Sequence, residues 1–487
     1  MKKIFFAIFM LLAANTFCQN LYKEKYRPQF HFSPAVNWMN DPNGLVYFNG
    51  QYNLFYQSNP YGNVWGHMSW SHSVSKDLLH WQHLPVALRE ENGIMMFSGS
   101  AVIDKKNTAG FGADAMVAIY TGHTDSLQTQ NLAFSNDAGR TFTKYNKNPV
   151  LNLHKKDFRD PNVFWFEKND CWIMSVSHPN EHQIEFYRSQ NLKEWKSASK
   201  FGPVGDTSAV WECPDLMQLS IEGTSQKKWV LFTSQNSTMQ YFVGEFDGTK
   251  FINENPTTKI FKQDYGTDYY AAIAYHNTPD KEPISIGWLN NWNYANEIPT
   301  SPWKSVMSLP RKLSLKKINN EWILIQQVIP SFQTLRKESV VFVNKTITKE
   351  ETLGFAGQVF EMELMFQPPL TGESGIKLAV GNNHFLKISY NAQHQQMAID
   401  RSQTNASFSK IFASINRAVA PVQLKNGKLK WHIYFDKCIA EIYVNDGEAV
   451  FTTQIFPEEN ENNIQLFSIE GQAIFDYLNF WKLKTIW

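Results

Sequence analysis

Three acidic residues stand at the start of short apolar runs. Asp41 lies in Asn40-Asp41-Pro42-Asn43-Gly44, Asp160 in Arg159-Asp160-Pro161-Asn162, and Glu212 in Trp211-Glu212-Cys213-Pro214-Asp215. Singly, each has an ordinary explanation, since Asp-Pro is turn chemistry and Arg159–Asp160 can be a local ion pair. Together they make a different case. Three acids gathered at one mouth of a fold repel one another, a cost that functional sites carry and structural ones avoid. A pair of carboxyls in one site is the machinery that breaks a glycosidic bond, one as nucleophile or base and the other as acid. Metal chemistry has no comparable support: the 13 histidines form no HExxH pattern and the four cysteines no CxxC pair, so no metal and no cofactor are expected.

Residues this far apart meet only if the fold repeats. Five segments carry a polar residue at the start of an apolar strand, and from Asp41 through Ser98, Asp160 and Glu212 to Asp268 the steps are 57, 62, 52 and 56 residues. A polar turn landing on an aromatic runs in phase, ending at Trp81, Phe142, Trp195 and Phe251. Such a period holds four short strands with their turns, the content of one propeller blade. Irregular sandwiches would not keep two markers in phase. The reading is therefore an all-β chain, with a five-bladed β-propeller over residues 28–329. In a propeller the first strand of each blade lines the central channel, so Asp41, Asp160 and Glu212 converge on one funnel. Asn49-Gly50 and Asp247-Gly248 are read as tight hairpin turns.

Beyond a linker at 330–340, alternating strands such as Val359–Phe366, Leu429–Phe435 and Ile439–Val444, with a turn at Asn445-Asp446-Gly447, predict a C-terminal β-sandwich over 341–487. No catalytic cluster is visible there. At the other end, Lys2 and Lys3 precede the apolar run Ile4 to Ala14, which is too short to span a bilayer but suits a secretory signal, read as residues 1–19. Export to the periplasm, cell surface or medium is expected, with no membrane-spanning segment. Cys171, Cys213 and Cys438 then remain, too few and too scattered for a disulfide framework. A net charge of +1 gives no field for holding nucleic acid or anionic lipid. The 15% aromatic content suits surfaces for sugar rings.

The residues themselves go further. Trp38-Met39-Asn40-Asp41-Pro42-Asn43-Gly44, Phe97-Ser98-Gly99-Ser100, Arg159-Asp160-Pro161 and Trp211-Glu212-Cys213-Pro214-Asp215 resemble the motifs of glycoside hydrolase family 32, the invertases, levanases and inulinases. Trp65-Gly66-His67, Asn291-Trp292-Asn293-Tyr294 and Ile442-Tyr443-Val444-Asn445-Asp446-Gly447 extend the likeness over the whole chain, in order. The resemblance implies a retaining exo-β-fructofuranosidase acting on levan, inulin or sucrose. Asp41 would be the nucleophile, Glu212 the general acid/base and Asp160 the transition-state stabiliser. Trp38, Asn40, Gln57, Trp65, Phe97, Ser98, Arg159 and Trp292 match positions that bind the fructose unit, and Asp268 and Tyr270 are further candidates for the pocket wall. Such roles require a raised pKa at Glu212, for which Trp211 is the apolar neighbour at hand, and a low one at Asp41. Cys213 is read as a neighbour that tunes Glu212. The competing readings are a family 43 glycosidase, which lacks the Trp38–Gly44 signature, a transfructosylase using the same intermediate, and a non-catalytic sugar-binding protein, which three intact acids disfavour.

Overall fold

Alternating and apolar runs bounded by turn residues build a chain of strands, arranged in seven sheets within residues 21–487, which the computed structural model describes. The segment read as a secretory signal lies outside the described residues. Five sheets have four or five strands each. Their first strands, Asn37–Phe48, Met95–Asp104, Arg159–Phe166, Glu212–Ser220 and Tyr270–Ala274, contact one another in cyclic order, the last touching the first. Ring closure has its own hydrogen bonds, since Trp303–Lys304 pairs in parallel with Asn37–Trp38. Between neighbouring sheets lie separate apolar clusters, for example Phe55, Trp70 and Met116, or Val117, Val163 and Met174. Burial between sheets, rather than one central core, therefore holds the ring together.

Each of the five inner strands is interrupted by a register shift at the same place. The breaks fall between Met39 and Pro42, Met96 and Gly99, Arg159 and Asn162, Glu212 and Asp215, and Tyr270 and Ile273. These are β-bulges, in which extra residues of one strand are left unpaired. Asp160, Cys213 and Ala271, first in their bulges, take the left-handed region with φ of 64°, 47° and 52°.

Turn readings fare unequally. Phe48 pairs with Gln51 around Asn49 and Gly50, both at positive φ, as a two-residue hairpin demands. Asp247-Gly248 is instead part of a four-residue loop between the paired Phe246 and Phe251. The Asp247 carboxylate accepts from the amides of Thr249 and Lys250 and so widens the turn.

Two six-stranded antiparallel sheets form the sandwich around a core that includes Phe360, Phe366, Trp431 and Phe451. The segment read as linker is structured. Pro330–Leu335 is a 3-10 turn burying Phe332 and Leu335, and the strand Arg336–Ile347 begins directly after it. Charge is buried where sandwich meets ring. Arg311, fully enclosed, donates to Asp264 at 2.9 Å and across the interface to Glu441 at 2.7 Å. Glu441 also accepts from Tyr443 and the Leu309 amide and contacts His31, whose other ring nitrogen meets Asp436. Arg401 of the sandwich reaches Asp268 of the ring at 2.9 Å. Asp268, a candidate for the pocket wall, is thus an interface residue; its carboxylate also accepts from Thr267, Tyr294, Thr453 and the Gln454 amide.

Because Arg311 is fully buried and held between Asp264 and Glu441, removing one of its partners leaves its charge partly stranded. Glu441→Gln is expected to destabilise the folded chain by about 3–5 kcal/mol, measured by denaturant unfolding. Ending the chain after Lys337 exposes the same surface and should give insoluble protein; a soluble, stable ring would show that the interface contributes little.

Candidate active site

At the bulges, consecutive side chains are turned into the channel mouth together, where a regular strand would send them to opposite faces. Asn40 with Asp41, Arg159 with Asp160, and Glu212 with Cys213 are all delivered this way. The three acids were expected at matching positions of their repeats. Counted from the bulge they are staggered: Glu212 precedes it, Asp160 is its first residue and Asp41 its second. Glu212 is therefore the register-equivalent of Arg159 in the sheet before it and of Tyr270 in the sheet after it. Both grip it. Arg159 Nε donates to Glu212 Oε1 at 2.8 Å and Tyr270 Oη to Oε2 at 2.6 Å.

Asp41 and Ser98 are likewise equivalent, and Ser98 Oγ donates to Asp41 Oδ2 at 2.7 Å. Gln57 Nε2 donates to the same oxygen at 3.3 Å and also to Ser98 Oγ. Asn40 Nδ2 donates to Asp41 Oδ1 at 3.1 Å, while Trp38 Nε1 donates to Asn40 Oδ1 at 2.8 Å and sets that amide. The third equivalent pair is Asp160 and Cys213, whose amide donates to Asp160 Oδ2 at 2.9 Å. Cys213 Sγ lies 3.7 Å from Asp41 Oδ2 and 3.6 Å from Asp160 Oδ2. The thiol thus bridges the two aspartates, a different place from the one read for it beside Glu212. Burial and the surrounding carboxylates raise its pKa far above the ordinary value, so it stays an S–H.

Electrostatics depart from expectation in one respect. Asp41, read as a low-pKa carboxylate, is pushed up to about 6. Burial dominates, the charge on Glu212 adds to it, and the bonds from Ser98 and Asn40 only partly oppose it. Asp160 is raised as well, by burial and by Glu212, against the pull of Arg159. Trp211 does not supply the apolar neighbour foreseen for Glu212. Its indole is buried against Phe242 and donates to the Asp206 carbonyl, on the side of the strand away from the site.

The walls are aromatic. Phe97 stacks on His123 at 4.1 Å and meets the edge of Trp65. Trp292, 38% exposed, lies over Trp38 and Trp288. Trp38, read as lining the pocket, is itself fully buried and acts as a platform under Trp292. Below the acids, Pro42, Gly99, Pro161 and Pro214 line a small cavity of about 10 Å³ beside Asp160 and Cys213. His123, Gln128 and Asp157 were not foreseen; as single residues in a strand-turn-strand segment they carry no spacing signal. Tyr270 had only its place in the fifth repeat.

The sequence matches the family description "Glycosyl hydrolases family 32 N-terminal domain" over residues 31–327 and "Glycosyl hydrolases family 32 C terminal" over residues 331–482. The chain belongs to glycosyl hydrolase family 32. It is 43% identical to a levanase of Bacillus subtilis (strain 168), across 98% of this chain and 73% of that one. It is 36% identical to an extracellular exo-inulinase of Aspergillus ficuum, across 92% and 93% of the two chains. The crystal structure of exo-inulinase from Aspergillus awamori superposes with a TM-score of 0.90 at 35% identity, covering 96% of this chain and all (100%) of that one.

A carboxyl raised from 3.8 to about 6 is more easily neutral in the fold than outside it. Its contribution to stability is full below pH 3.8 and is lost as pH rises through about 6. At roughly 1.4 kcal/mol per pKa unit, Asp41→Asn should stabilise the protein by about 1–3 kcal/mol at pH 7. The gain should fade toward pH 4, in thermal unfolding followed at both pH values. An equal gain at both would mean that charge burial is not its source.

Proposed function

We propose that the chain is an exo-acting, retaining β-fructofuranosidase that releases fructose from the non-reducing end of levan, inulin or sucrose. The observation that carries this reading is the pairing of a buried, hydrogen-bonded Asp41 with a Glu212 clamped by Arg159 and Tyr270 at the mouth of the ring's channel. In the first step Asp41 attacks the anomeric carbon of the terminal fructosyl unit. Oδ2 is anchored by Ser98 and Gln57, which leaves Oδ1, with Asn40 alone, as the attacking oxygen. Glu212 gives its proton to the departing glycosidic oxygen, and a fructosyl ester forms on Asp41. In the second step Glu212 takes a proton from water, the water oxygen attacks the same carbon, and fructose leaves with Asp41 restored. Asp160, fixed by the Cys213 amide, stands where positive charge develops on the ring and holds its hydroxyls.

A channel mouth walled by the aromatics Trp65, Phe97 and Trp292 is shaped to take one terminal ring, whereas an endo-enzyme needs a cleft that a chain can cross. The positive start and apolar run at residues 2–14, with relatives named as extracellular, support export. Among the described residues no helix is long and apolar enough to cross a membrane.

Digestion of levan, inulin and sucrose, followed by NMR from the first minutes, tests the proposal. Free fructose should precede any oligosaccharide and should appear first as the β-anomer. Short oligosaccharides first would make the site a cleft, and an α first product would make the mechanism inverting. Glu212→Ala should lose about 10²–10⁴-fold on these substrates while sparing those with activated leaving groups. Equal loss on both kinds would remove the acid role from Glu212.

A further inference from the structure

Behind Arg159 lies a row of hydrogen bonds whose polarity can be worked out atom by atom. Gln128, 2% exposed, accepts with Oε1 from the Phe158 amide at 2.8 Å and from Arg159 Nη1 at 3.3 Å. Two N–H donors on that atom fix it as the oxygen, so the other end of the amide is NH₂ and can only donate. It lies 3.1 Å from His123 Nδ1, which must therefore accept. His123 is neutral with its proton on Nε2, and its ring is held flat on Phe97. Protonating His123 would set an N–H against the NH₂ of Gln128, which cannot turn over without opposing Arg159 and the Phe158 amide.

We infer that His123 and Gln128 are positioning residues for the acid/base. His123 Nδ1 fixes the amide of Gln128, the amide fixes Arg159, and Arg159 Nε holds Glu212 Oε1. The inference rests on the reading of Glu212 as acid/base. Arg159 Nη1 is shared between Gln128 and Asp157, the latter at 2.8 Å, which leaves Nε for Glu212. Without the His123 acceptor the buried Gln128 NH₂ is left unpaired, so the side chain shifts to find another partner, its Oε1 moves off Arg159 Nη1 and the guanidinium loosens against Glu212. Glu212 would lose its one adjacent cation and hold its proton more tightly, with Asp41, Asp160 and Tyr270 remaining beside it. The groups facing His123 are Arg159 and Lys156, which disfavour its protonation, and Asp125 and Asp157, which favour it; burial and Arg159 prevail and lower its pKa.

Two substitutions separate the acceptor from the ring. His123→Phe keeps a ring on Phe97 but removes the acceptor. His123→Asn removes the ring but places an amide oxygen near the Nδ1 position. The alkaline limb of kcat/KM reports the acid's pKa. In His123→Phe it should move up by about 0.5–1 pH unit, with kcat falling more than KM changes. In His123→Asn it should return toward the parent value. An unmoved limb in His123→Phe, or the same shift in both variants, overturns the inference. Histidine Cε1 NMR on the parent protein needs no activity: the His123 signal, assigned by its loss in either variant, should titrate below the ordinary histidine midpoint, and a midpoint at or above about 6.5 overturns the relay. Failure of the parent to hydrolyse any fructan or sucrose would instead strike the proposed function and leave the NMR result to decide the hydrogen-bond polarity.

Discussion

Everything at the site depends on five bulges placed at one level of the ring. In an unbroken strand Arg159 and Asp160, or Asn40 and Asp41, would face opposite ways, and only one of each pair could reach the channel. The extra residue, accommodated at Asp160 and Cys213 by left-handed backbone, sends both inward. It also offsets one sheet from the next. Glu212 thereby sits level with Arg159 on one side and Tyr270 on the other, and Asp41 level with Ser98. The bonds from Arg159 and Tyr270 to Glu212, from Ser98 to Asp41 and from the Cys213 amide to Asp160 all run sideways between sheets, from one bulge to its neighbour.

Much of this was legible in the chain, and the remainder has physical reasons for being hidden. The period near 55–60 residues and the acids that mark it are local facts, as is the two-residue turn at Asn49-Gly50. The stagger is not, because aligning repeats by residue type treats Asp41, Asp160 and Glu212 as equivalents, whereas a bulge shifts equivalence by one. The same error put Asp268 in the pocket wall, although its partner Arg401 lies 133 positions later, beyond any local signal. Trp211 was assigned to Glu212 by adjacency, while strand alternation sends neighbours apart. Burial of Asp41 outweighing its hydrogen bonds is a balance of magnitudes, which residue types alone do not fix.

Buried charge is used in two contrasting ways. At the interface Arg311 and His31 stand among Asp264, Glu441 and Asp436, and hydroxyl and amide donors supply the remaining carboxylate oxygens. At the channel mouth three carboxyls are held by a single guanidinium and several neutral donors. Burial, with that imbalance added to it, raises the pKa of Asp41 and Asp160 and keeps the thiol of Cys213 protonated. The first arrangement fixes two bodies relative to each other, and the second leaves buried acids whose charge is only partly compensated.

The segment that enters the ring ahead of its first strand rests on the far end of the chain. Asp436 accepts from the amides of Gln29, Phe30 and His31, and Ile486 donates to the Gln29 carbonyl. Trp487 stacks on Tyr22 with ring centroids 3.9 Å apart. The bond from the Gln29 amide to Asp436 joins positions 407 apart, the kind of contact that forms slowly. The entrance to the ring is therefore a seam sewn from both sides of the sequence, and a chain still short of the sandwich carries it open.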